Sequence, residues 1–289
     1  MKSDGSISTS TRLCAVIGNP VAHSLSPALH NAAFNALGLD YVYTAFRVED
    51  LKSAIAGMRS LENFRGMSVT IPHKIEVIDY LDEVDDIDRS IGSINTVINE
   101  NGKLFGFGTD GPGALKSIRD AGVDPDGSTV LMLGAGGASR AIAFTLARST
   151  RIGKLVMTDI NEPMLRGLAA DLASGTDVTV EADLLGPETI SARMSEADII
   201  INCTPVGMHP REDSSLVPPE LFRRGQVVFD VVYTPLETKL LREAASQGCV
   251  VIPGVEMFIN QAVLQFEKFT GAAAPVGVMR KVLMERLKG

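Results

Sequence analysis

Short apolar runs alternate with amphipathic stretches along most of the chain. The first run, LCAVIG at 13–18, is apolar throughout and predicts a buried strand. The stretch SPALHNAAFNALG at 26–38 predicts a helix, with Ser26 as its N-cap, proline at its first position and glycine just past its end. Two further patterns of strand and helix lead into a third strand at 66–71. This alternation predicts an α/β fold with a mostly parallel sheet.

A second alternating region follows a predicted hairpin. The hairpin covers 94–110 and turns at Asn101 and Gly102, a dipeptide typical of two-residue turns. Strand and helix patterns then alternate again until two amphipathic helices close the chain. A length of 289 residues favours two domains. Residues 1–11 are polar and rich in serine, without the apolar region of a secretory signal, and we predict a disordered leader there.

Composition and charge exclude several classes of protein. A net charge of -8 argues against nucleic-acid binding, which needs a basic surface. No apolar run reaches the roughly 18 residues of a membrane span. The three cysteines, Cys14, Cys203 and Cys249, lie far apart in apolar runs. This spacing predicts buried reduced thiols in a cytoplasmic protein and no metal site.

A glycine-rich turn, GAGGAS at 134–139, joins an apolar strand to a helix. Glycines at this place allow the backbone to approach a pyrophosphate, which then rests on the helix N-terminus. The next strand ends at Asp159, where an acidic residue can accept hydrogen bonds from a ribose. The turn therefore predicts a dinucleotide site. The alternative is a turn without a ligand, in which Asp159 caps the following helix.

The residues after the second strand also predict which dinucleotide is bound. The stretch TDINEP carries Asp159 and no arginine or lysine before Arg166, whereas an NADP site places positive charge near the 2′-phosphate. A carboxylate would repel that phosphate. We therefore predict NAD as the preferred cofactor over NADP.

Candidate substrate residues cluster after the first strand and after the third. Ser24 and Ser26 lie in a loop at the carboxyl end of the first strand, and their hydroxyls suit a carboxylate or a polyol, although Ser26 could act only as a cap. In SVTIPHK at 68–74, a strand and a proline fix the position of Lys74. We expect His30 to pack in the core rather than to act in catalysis. His23 is the other histidine that could be catalytic, and His209 is expected to face solvent.

The chain resembles the shikimate/quinate dehydrogenase family. The resemblance rests on eight motifs in the family's order, between about Leu13 and Gly271: GNPVAHSLSPALHN, VTIPHK, SINTV, TDGPG, GAGGASR, INCTPVGM, DVVYTPLETKLL and GVEMFINQA. It implies a two-domain α/β fold, with a parallel or mixed substrate domain and a Rossmann-type dinucleotide-binding domain. The implied boundaries are 12–110 plus 255–289 for the substrate domain and 111–254 for the dinucleotide domain.

The resemblance also implies roles for individual residues and a reaction. Members oxidise a ring secondary alcohol of shikimate or quinate reversibly, in a cleft between the domains, with hydride passing to NADP or NAD. Lys74 and Asp110 would be the catalytic pair. Ser24, Ser26, Thr70, Asn95, Tyr233 and Gln261 would bind the substrate. The cofactor residues would be Gly134, Ala135, Gly136, Gly137, Ala138, Asp159, Thr204, Val231 and Gly254.

Two departures from the family pattern lie near the implied substrate site. Ser68 stands where the family has asparagine, and Gly108 stands where it has another asparagine. A shorter side chain at 68 and a missing one at 108 predict more room and a weaker grip on shikimate. A third departure, Phe269 for a tryptophan, lies near the end of the long C-terminal helix.

Three functions remain open at this point. The first is a dehydrogenase of shikimate, with quinate as a second substrate. The second is an NAD-dependent dehydrogenase of another cyclic hydroxy acid. The third is a low-activity regulatory protein that binds NAD or a metabolite, against which the retention of Lys74 and Asp110 speaks. The predicted partner is a small-molecule substrate, with no nucleic acid or membrane, and a homodimer is left open.

Overall fold

The computed structural model describes residues 7–288 and divides the chain into two compact units. Unit 1 contains the chain up to Thr109 and again from Gln261 onward, and unit 2 is Asp110–Asn260. The boundaries expected from the sequence lie at 110 and 254. The first division of the chain, after Thr109, lies one residue before the expected boundary, and the second, after Asn260, lies six residues beyond it.

Unit 1 is a layered α/β unit built from both ends of the chain. Its strands are β1 (Arg12–Gly18), β2 (Tyr41–Arg47), β3 (Phe64–Val69), β4 (Glu83–Val84), β5 (Thr96–Glu100) and β6 (Lys103–Phe107). Its helices are α1 (Ser26–Leu37), α2 (Leu51–Ser60), α3 (Asp86–Ile91), the later part of α9 (Gly254–Thr270) and α10 (Val276–Lys288). A 3₁₀ turn covers Glu76–Tyr80.

The six-stranded sheet of unit 1 is mixed and has the order β2-β1-β3-β5-β6-β4. Ile17 of β1 pairs in parallel with Val69 of β3. Thr96 of β5 pairs antiparallel with Ser68 of β3 on one side and with Phe107 of β6 on the other. Because of this register, the carboxyl ends of β1, β3 and β6 and the beginning of β5 lie side by side at the same end of the strands.

Local sequence signals explain several of these elements. The predicted hairpin turn is confirmed, since Asn101 and Gly102 both have positive φ, 54° and 85°, as a type I′ turn requires. Gly38 ends α1 in the left-handed region. Ser26 is not the N-cap that the sequence predicted: the helix begins at Ser26, and Leu25 precedes it without a side-chain cap. The short elements α3 and β4 were not expected, because two strand residues and six helical residues show too little periodicity.

Residues 7–11, the described part of the predicted leader, are tied to the beginning of β1. Ser10 and Thr11 donate hydroxyl hydrogen bonds to Asp40 at 3.0 and 2.7 Å, and Thr11 is buried. These contacts contradict a disordered leader for this part. The rest of the leader, residues 1–6, lies outside the described residues.

Unit 2 is a Rossmann-type unit. Its strands are β7 (Thr129–Leu133), β8 (Lys154–Asp159), β9 (Thr179–Leu184), β10 (Ile199–Asn202), β11 (Val227–Asp230) and β12 (Val250–Ile252). Its helices are α4 (Asp110–Asp120), α5 (Gly137–Ser149), α6 (Glu162–Gly175), α7 (Pro187–Met194), α8 (Lys239–Ser246) and the first turns of α9. Every pairing in its sheet, of order β12-β11-β10-β7-β8-β9, is parallel. From β7 the strands follow in order to β9 on one side of the sheet and from β10 to β12 on the other, so the strand order reverses between β7 and β10. Parallel sheets bind ligands at the carboxyl ends of the strands at such a reversal.

The apolar strand patterns are explained by burial on both faces of the sheets. The four consecutive residues Val130–Leu133 of β7 are all fully buried, so both faces of that strand are covered. On one face, Leu131 lies in a core cluster with Val156, Ile200 and Val228 of the neighbouring strands. Among the described residues, no helix is both long and apolar enough to cross a membrane.

The three cysteines carry free thiols, as predicted, but only Cys14 is fully buried. Cys203 follows β10 and Cys249 precedes β12, and both are partly exposed because they stand at strand ends. Within the described chain, no group of His, Cys, Asp or Glu side chains is arranged to hold a metal ion.

Candidate active site

Ser24 lies in the loop between β1 and α1, and Ser26 is the first residue of α1. The Ser26 N–H donates to Ser24 Oγ at 3.3 Å, and the Ser24 N–H donates to the Val21 carbonyl at 3.0 Å. Ser26 is buried and does not cap the helix, and its side chain lies close enough to the Tyr43 phenol to influence the pKa of that phenol. Two hydroxyls beside the positive end of a 12-residue helix form an environment suited to a carboxylate.

Backbone hydrogen bonds fix the turn that carries Thr70 and Lys74. The Thr70 N–H donates to the Ile17 carbonyl at 2.9 Å, and the Lys74 carbonyl accepts from the Ile94 N–H at 2.8 Å. Between them, buried His73 makes a 2.9 Å hydrogen bond from its Nε2 to the Val48 carbonyl. The turn that carries Lys74 is therefore held by β1, by the segment before β5 and by the residue after β2, and the second of these contacts is to Lys74 itself. Lys74 belongs to unit 1.

Asn95 holds the segment that leads to Asp110. Its Oδ1 accepts from the Thr109 N–H at 2.8 Å, and its Nδ2 donates to Thr109 Oγ1 at 2.9 Å. Both residues are buried, at 3% and 1% exposure. The family resemblance implied Asn95 as a substrate residue, and the structure adds this bond to the residue before Asp110. Asp110 is the first residue of α4 and of unit 2.

Ser68 belongs to a buried hydrogen-bond network. Its hydroxyl accepts from the Tyr43 phenol at 2.6 Å and donates to Gln265 Oε1 at 2.7 Å. Gln265 Nε2 in turn donates to the Asn95 carbonyl at 3.1 Å. Burial raises the pKa of Tyr43, so the phenol stays protonated and remains a donor.

The space that the sequence predicted around Ser68 and Gly108 is filled. Tyr43 and Gln265 occupy the surroundings of Ser68, which is 4% exposed. At Gly108 an added Cβ would lie 2.6 Å from Asp88 Oδ1. The expectation of extra room at Gly108 is therefore wrong, because the Asp88 side chain fills that space.

Sequence reasoning missed Tyr43 and Gln265 as parts of this site. One signal was present: Gln265 follows Gln261 by four residues, so both lie on one face of α9. Gln261 is buried at 9% exposure and is the first residue of the C-terminal part of unit 1.

The buried histidine near this site is a packing residue, as expected. His30 is fully buried and stacks on Tyr43 with ring centroids 4.4 Å apart. Burial lowers the pKa of His30 to about 3, so the ring is neutral near pH 7 and does not exchange protons there. His23 is exposed, and so is His209, which makes a 2.8 Å contact with Glu212.

The glycine-rich turn of unit 2 has the geometry that a pyrophosphate requires. Gly134 has φ +102°, and an added Cβ would lie 3.1 Å from Thr204 and 3.2 Å from Cys203, so glycine is needed there. An added Cβ at Gly136, the N-cap of α5, would meet no atom within 4 Å. The beginning of α5 thus leaves open space beside Gly136, and a helix N-terminus with such space fits a bound phosphate group. Gly137 and Ala138 form the first turn of that helix.

Asp159 braces this turn. Its Oδ2 accepts from the Ala135 N–H at 2.6 Å, and its Oδ1 accepts from the Asn161 N–H at 2.7 Å. Both carboxylate oxygens therefore already bind backbone donors. The N-cap of α6 is Asn161, so the alternative of Asp159 as that cap is wrong.

The remaining cofactor candidates lie at the carboxyl ends of β10, β11 and β12. Thr204 donates to Asn202 Oδ1 at 2.7 Å, and the Val231 N–H donates to the Asn202 carbonyl at 2.9 Å. Gly254 packs so closely that an added Cβ would lie 2.5 Å from the carbonyls of Val231 and Val232. The ring of Tyr233, in the loop after β11, packs on Phe258 with ring centroids 4.7 Å apart. Burial raises the pKa of Tyr233.

A buried carboxylate fixes the loops around these residues. Asp230 is fully buried and accepts from Asn202 Nδ2 at 2.9 Å, from the Val232 N–H at 3.0 Å and from Thr238 Oγ1 at 2.6 Å. Burial raises the pKa of Asp230 to about 6, and the hydrogen bonds from Thr238, Val232 and Asn202 limit that rise.

Replacing Thr238 by valine is expected to destabilise the protein more at pH 8 than at pH 5. Because the pKa of Asp230 is raised in the folded state, its stabilising contribution is full below its unfolded value of 3.8 and is lost as the pH rises through about 6. Loss of the Thr238 donor penalises the ionised carboxylate and adds about 1.5–3 kcal/mol at about pH 8. The loss of the α8 N-cap, about 1 kcal/mol, applies at both pH values.

Urea unfolding of Thr238→Val at the two pH values measures this difference. Thr238→Ser keeps both hydrogen bonds and is the control. Equal losses for Thr238→Val at the two pH values would show that the hydroxyl does not stabilise an ionised Asp230.

Comparison with known proteins agrees with the family resemblance that the sequence motifs indicate. Residues 16–97 match the family model of the shikimate dehydrogenase substrate binding domain, and residues 254–284 match that of the shikimate 5'-dehydrogenase C-terminal domain. A shikimate dehydrogenase (NADP(+)) of Moorella thermoacetica is 45% identical over 283 residues, which are 97% of this chain and 95% of that protein.

Two solved structures share the fold over nearly their whole length. Shikimate 5-dehydrogenase from Listeria monocytogenes, in complex with shikimate and NAD, is 36% identical with a TM-score of 0.89, covering 96% of this chain and 98% of that one. Shikimate 5-dehydrogenase from Thermus thermophilus, in complex with NADP(H) and shikimate, is 34% identical with a TM-score of 0.83, covering 95% and 99%.

A Rossmann-type unit with a glycine-rich turn is typical of proteins that bind a dinucleotide, and the named relatives make this chain an oxidoreductase acting on a CH-OH group. Identity of 45% over 97% of its length makes the assignment more specific. The chain belongs to the shikimate dehydrogenase family, and the resemblance predicted from its motifs is confirmed.

The predicted preference for NAD is wrong. The Moorella relative is named for NADP(+), and so are relatives of 40% and 43% identity from Desulforamulus reducens and Symbiobacterium thermophilum. The prediction treated Asp159 as an unpaired carboxylate facing the ribose. In the structure both of its oxygens bind backbone N–H groups, so its presence after β8 supports the glycine-rich turn and does not identify the cofactor.

Proposed function

We propose that this protein oxidises shikimate reversibly to 3-dehydroshikimate with NADP. The observation that carries the proposal is the register of the unit 1 sheet, which gathers the chain segments bearing Ser24, Thr70, Lys74 and Asn95 at one edge. The match to the substrate binding domain model covers the same segments, residues 16–97.

Each unit is proposed to bind one reactant. In unit 1, Ser24 and Ser26 are proposed to bind the substrate carboxylate, while Thr70, Asn95 and Gln261 bind ring hydroxyls. In unit 2, Gly134–Ala138 hold the pyrophosphate on the N-terminus of α5. Thr204, Val231 and Gly254 lie beside the nicotinamide half.

Lys74 and Asp110 are proposed to manage the proton of the reacting hydroxyl. When bound, NADP supplies the hydride acceptor. The hydroxyl oxygen must lose its proton as the hydride leaves the ring carbon. The Lys74 amine and the Asp110 carboxylate are proposed to receive this proton and pass it on. Because the two groups act on one proton, they are treated as a coupled pair.

Substitution of Ser24 by alanine is expected to raise the KM for shikimate about tenfold or more and to leave the KM for NADP unchanged. A hydrogen bond to a charged partner contributes about 1.5–3 kcal/mol, and about 1.4 kcal/mol corresponds to a tenfold change. Steady-state kinetics with shikimate and with its methyl ester provide the measurement.

The ester is the internal control, because it lacks the charge that Ser24 is proposed to bind. The unmodified protein should discriminate strongly against the ester, and Ser24→Ala should discriminate less. An unchanged KM for shikimate in Ser24→Ala would remove Ser24 from the substrate site.

Two finer expectations stay proposals. We propose the cytoplasm as the location, in keeping with three free thiols at Cys14, Cys203 and Cys249. A homodimer is proposed only as an association state to be measured by analytical ultracentrifugation, and a sedimentation coefficient of a single chain would exclude it.

A further inference from the structure

Gly108 and Asp88 share one space in unit 1. The Gly108 N–H donates to Asp88 Oδ2 at 2.8 Å. A Cβ built on Gly108 would lie 2.6 Å from Asp88 Oδ1 and 3.4 Å from its Cγ. A side chain at position 108 would therefore require the carboxylate of Asp88 to move from its present position.

The Asp88 carboxylate does not cap its own helix. The first turn of α3 is capped by Asp85, whose Oδ1 accepts from the Asp88 N–H at 2.7 Å, and no cap bond of this helix uses the Asp88 carboxylate. That carboxylate is half-buried. Burial is the largest influence on it and raises its pKa; the Gly108 N–H acts against the rise, Asp85 adds to it, and Lys268 acts against it. Among the residues that the structure describes, the hydrogen bond that this half-buried carboxylate makes is the one it accepts from the Gly108 N–H.

Gly108 is the central residue of a segment held at three successive positions. The Phe107 carbonyl accepts from the Asn95 N–H at 3.3 Å, and the Thr109 N–H donates to Asn95 Oδ1 at 2.8 Å. Between them the Gly108 N–H is held by Asp88. Glycine has the widest conformational freedom of any residue, so the hydrogen bond to Asp88 restricts the place where the segment could most easily bend. The next residue after Thr109 is Asp110.

We propose that Asp88 is a positioning residue for Asp110, an inference that rests on the proposed function. Its carboxylate fixes the Gly108 peptide and thereby the backbone immediately before Asp110. Small displacements of a proton-transfer group lower turnover, because the reacting atoms must meet within a narrow distance. Asp88 itself acts through Gly108 and touches no reactant.

Three variants test the proposal. Asp88→Ala removes the acceptor, and its kcat for shikimate oxidation is expected to fall about tenfold with the KM for NADP unchanged. Asp88→Asn keeps an acceptor oxygen without the charge, and its kcat is expected to stay within about twofold of the unmodified protein. Gly108→Ala displaces Asp88 and should resemble Asp88→Ala. In the double variant Asp88→Ala with Gly108→Ala, the change at 108 should lower kcat little further, because the Asp88 carboxylate that the added methyl group would meet is absent.

Hydrogen–deuterium exchange of the segment 107–110 is measured on the same proteins without substrate. Asp88→Ala should exchange faster in this segment and Asp88→Asn should not. This readout decides the proposal even if the unmodified protein fails to oxidise shikimate, a result that would overturn the proposed function alone. The proposal is overturned if Asp88→Ala leaves exchange in 107–110 unchanged. It is also overturned if an active protein loses no turnover in Asp88→Ala, or loses as much in Asp88→Asn.

Discussion

Replacement of Lys74 by alanine is expected to lower kcat for shikimate oxidation by about 10²-fold or more, with the KM for NADP little changed. General acid–base groups typically contribute about 10² to 10⁴ in rate. The turn that carries Lys74 is held by hydrogen bonds of its neighbours Thr70 and His73 and of its own carbonyl. Because that backbone is fixed without the lysine side chain, the variant should fold, and the loss should reflect chemistry.

Lys52→Ala is the matched control for this prediction. Lys52 is an exposed lysine on α2 of the same unit, and alanine is favourable in a helix, so kcat should stay within about twofold. Thermal unfolding of both variants separates loss of fold from loss of chemistry. A Lys74→Ala protein that keeps most of its turnover would exclude Lys74 from proton transfer.

Replacement of Gly254 by alanine is expected to destabilise the protein by about 1–3 kcal/mol. The added methyl group would lie 2.5 Å from two backbone carbonyls, those of Val231 and Val232, and neither can rotate away as a side chain could. Either α9 or the loop after β11 must shift. Since Val231 and Gly254 are both proposed to lie beside the nicotinamide, the KM for NADP should rise as well. Urea unfolding and steady-state kinetics measure the two effects.

Gly167→Ala provides the contrasting control. Gly167 lies within α6, and an added Cβ there meets no atom within 4 Å, so alanine should stabilise the helix by about 0.5–1 kcal/mol. A stability of Gly254→Ala equal to that of the unmodified protein would mean that the close approach at Gly254 is relieved at no cost.

Much of the fold could be predicted from local pattern. Parallel strands buried on both faces appear as continuous apolar runs, and the turn at Asn101 and Gly102 requires residues that accept positive φ. The short elements α3, α7 and β4 escaped, because their few residues depend on tertiary packing. In the same way, the mixed strand order of unit 1 depends on long-range pairing, which no local pattern records.

The site was predictable only as far as residue type indicates chemistry. Ser24, Lys74 and the glycines of the α5 turn were found because loops after strands and glycine-rich turns have local signals. Tyr43, Gln265 and Asp88 were missed, since their importance depends on partners that are far away in sequence, such as Ser68 and Gln265, 197 positions apart.

The same limit explains the error over the cofactor. The sequence shows an acidic residue, Asp159, at the end of β8, and an acidic residue can face a ribose. It does not show that the two carboxylate oxygens bind the N–H groups of Ala135 and Asn161. Residue type predicted a ligand contact where the structure has an internal one.

The central claim is that this protein oxidises shikimate with NADP. The most direct measurement is the absorbance of reduced nicotinamide in four mixtures, which combine shikimate or quinate with NADP or NAD. We predict the highest kcat/KM for shikimate with NADP, followed by shikimate with NAD, and the lowest values with quinate. A protein that reduced neither cofactor with shikimate, or that used NAD more efficiently than NADP, would contradict the claim.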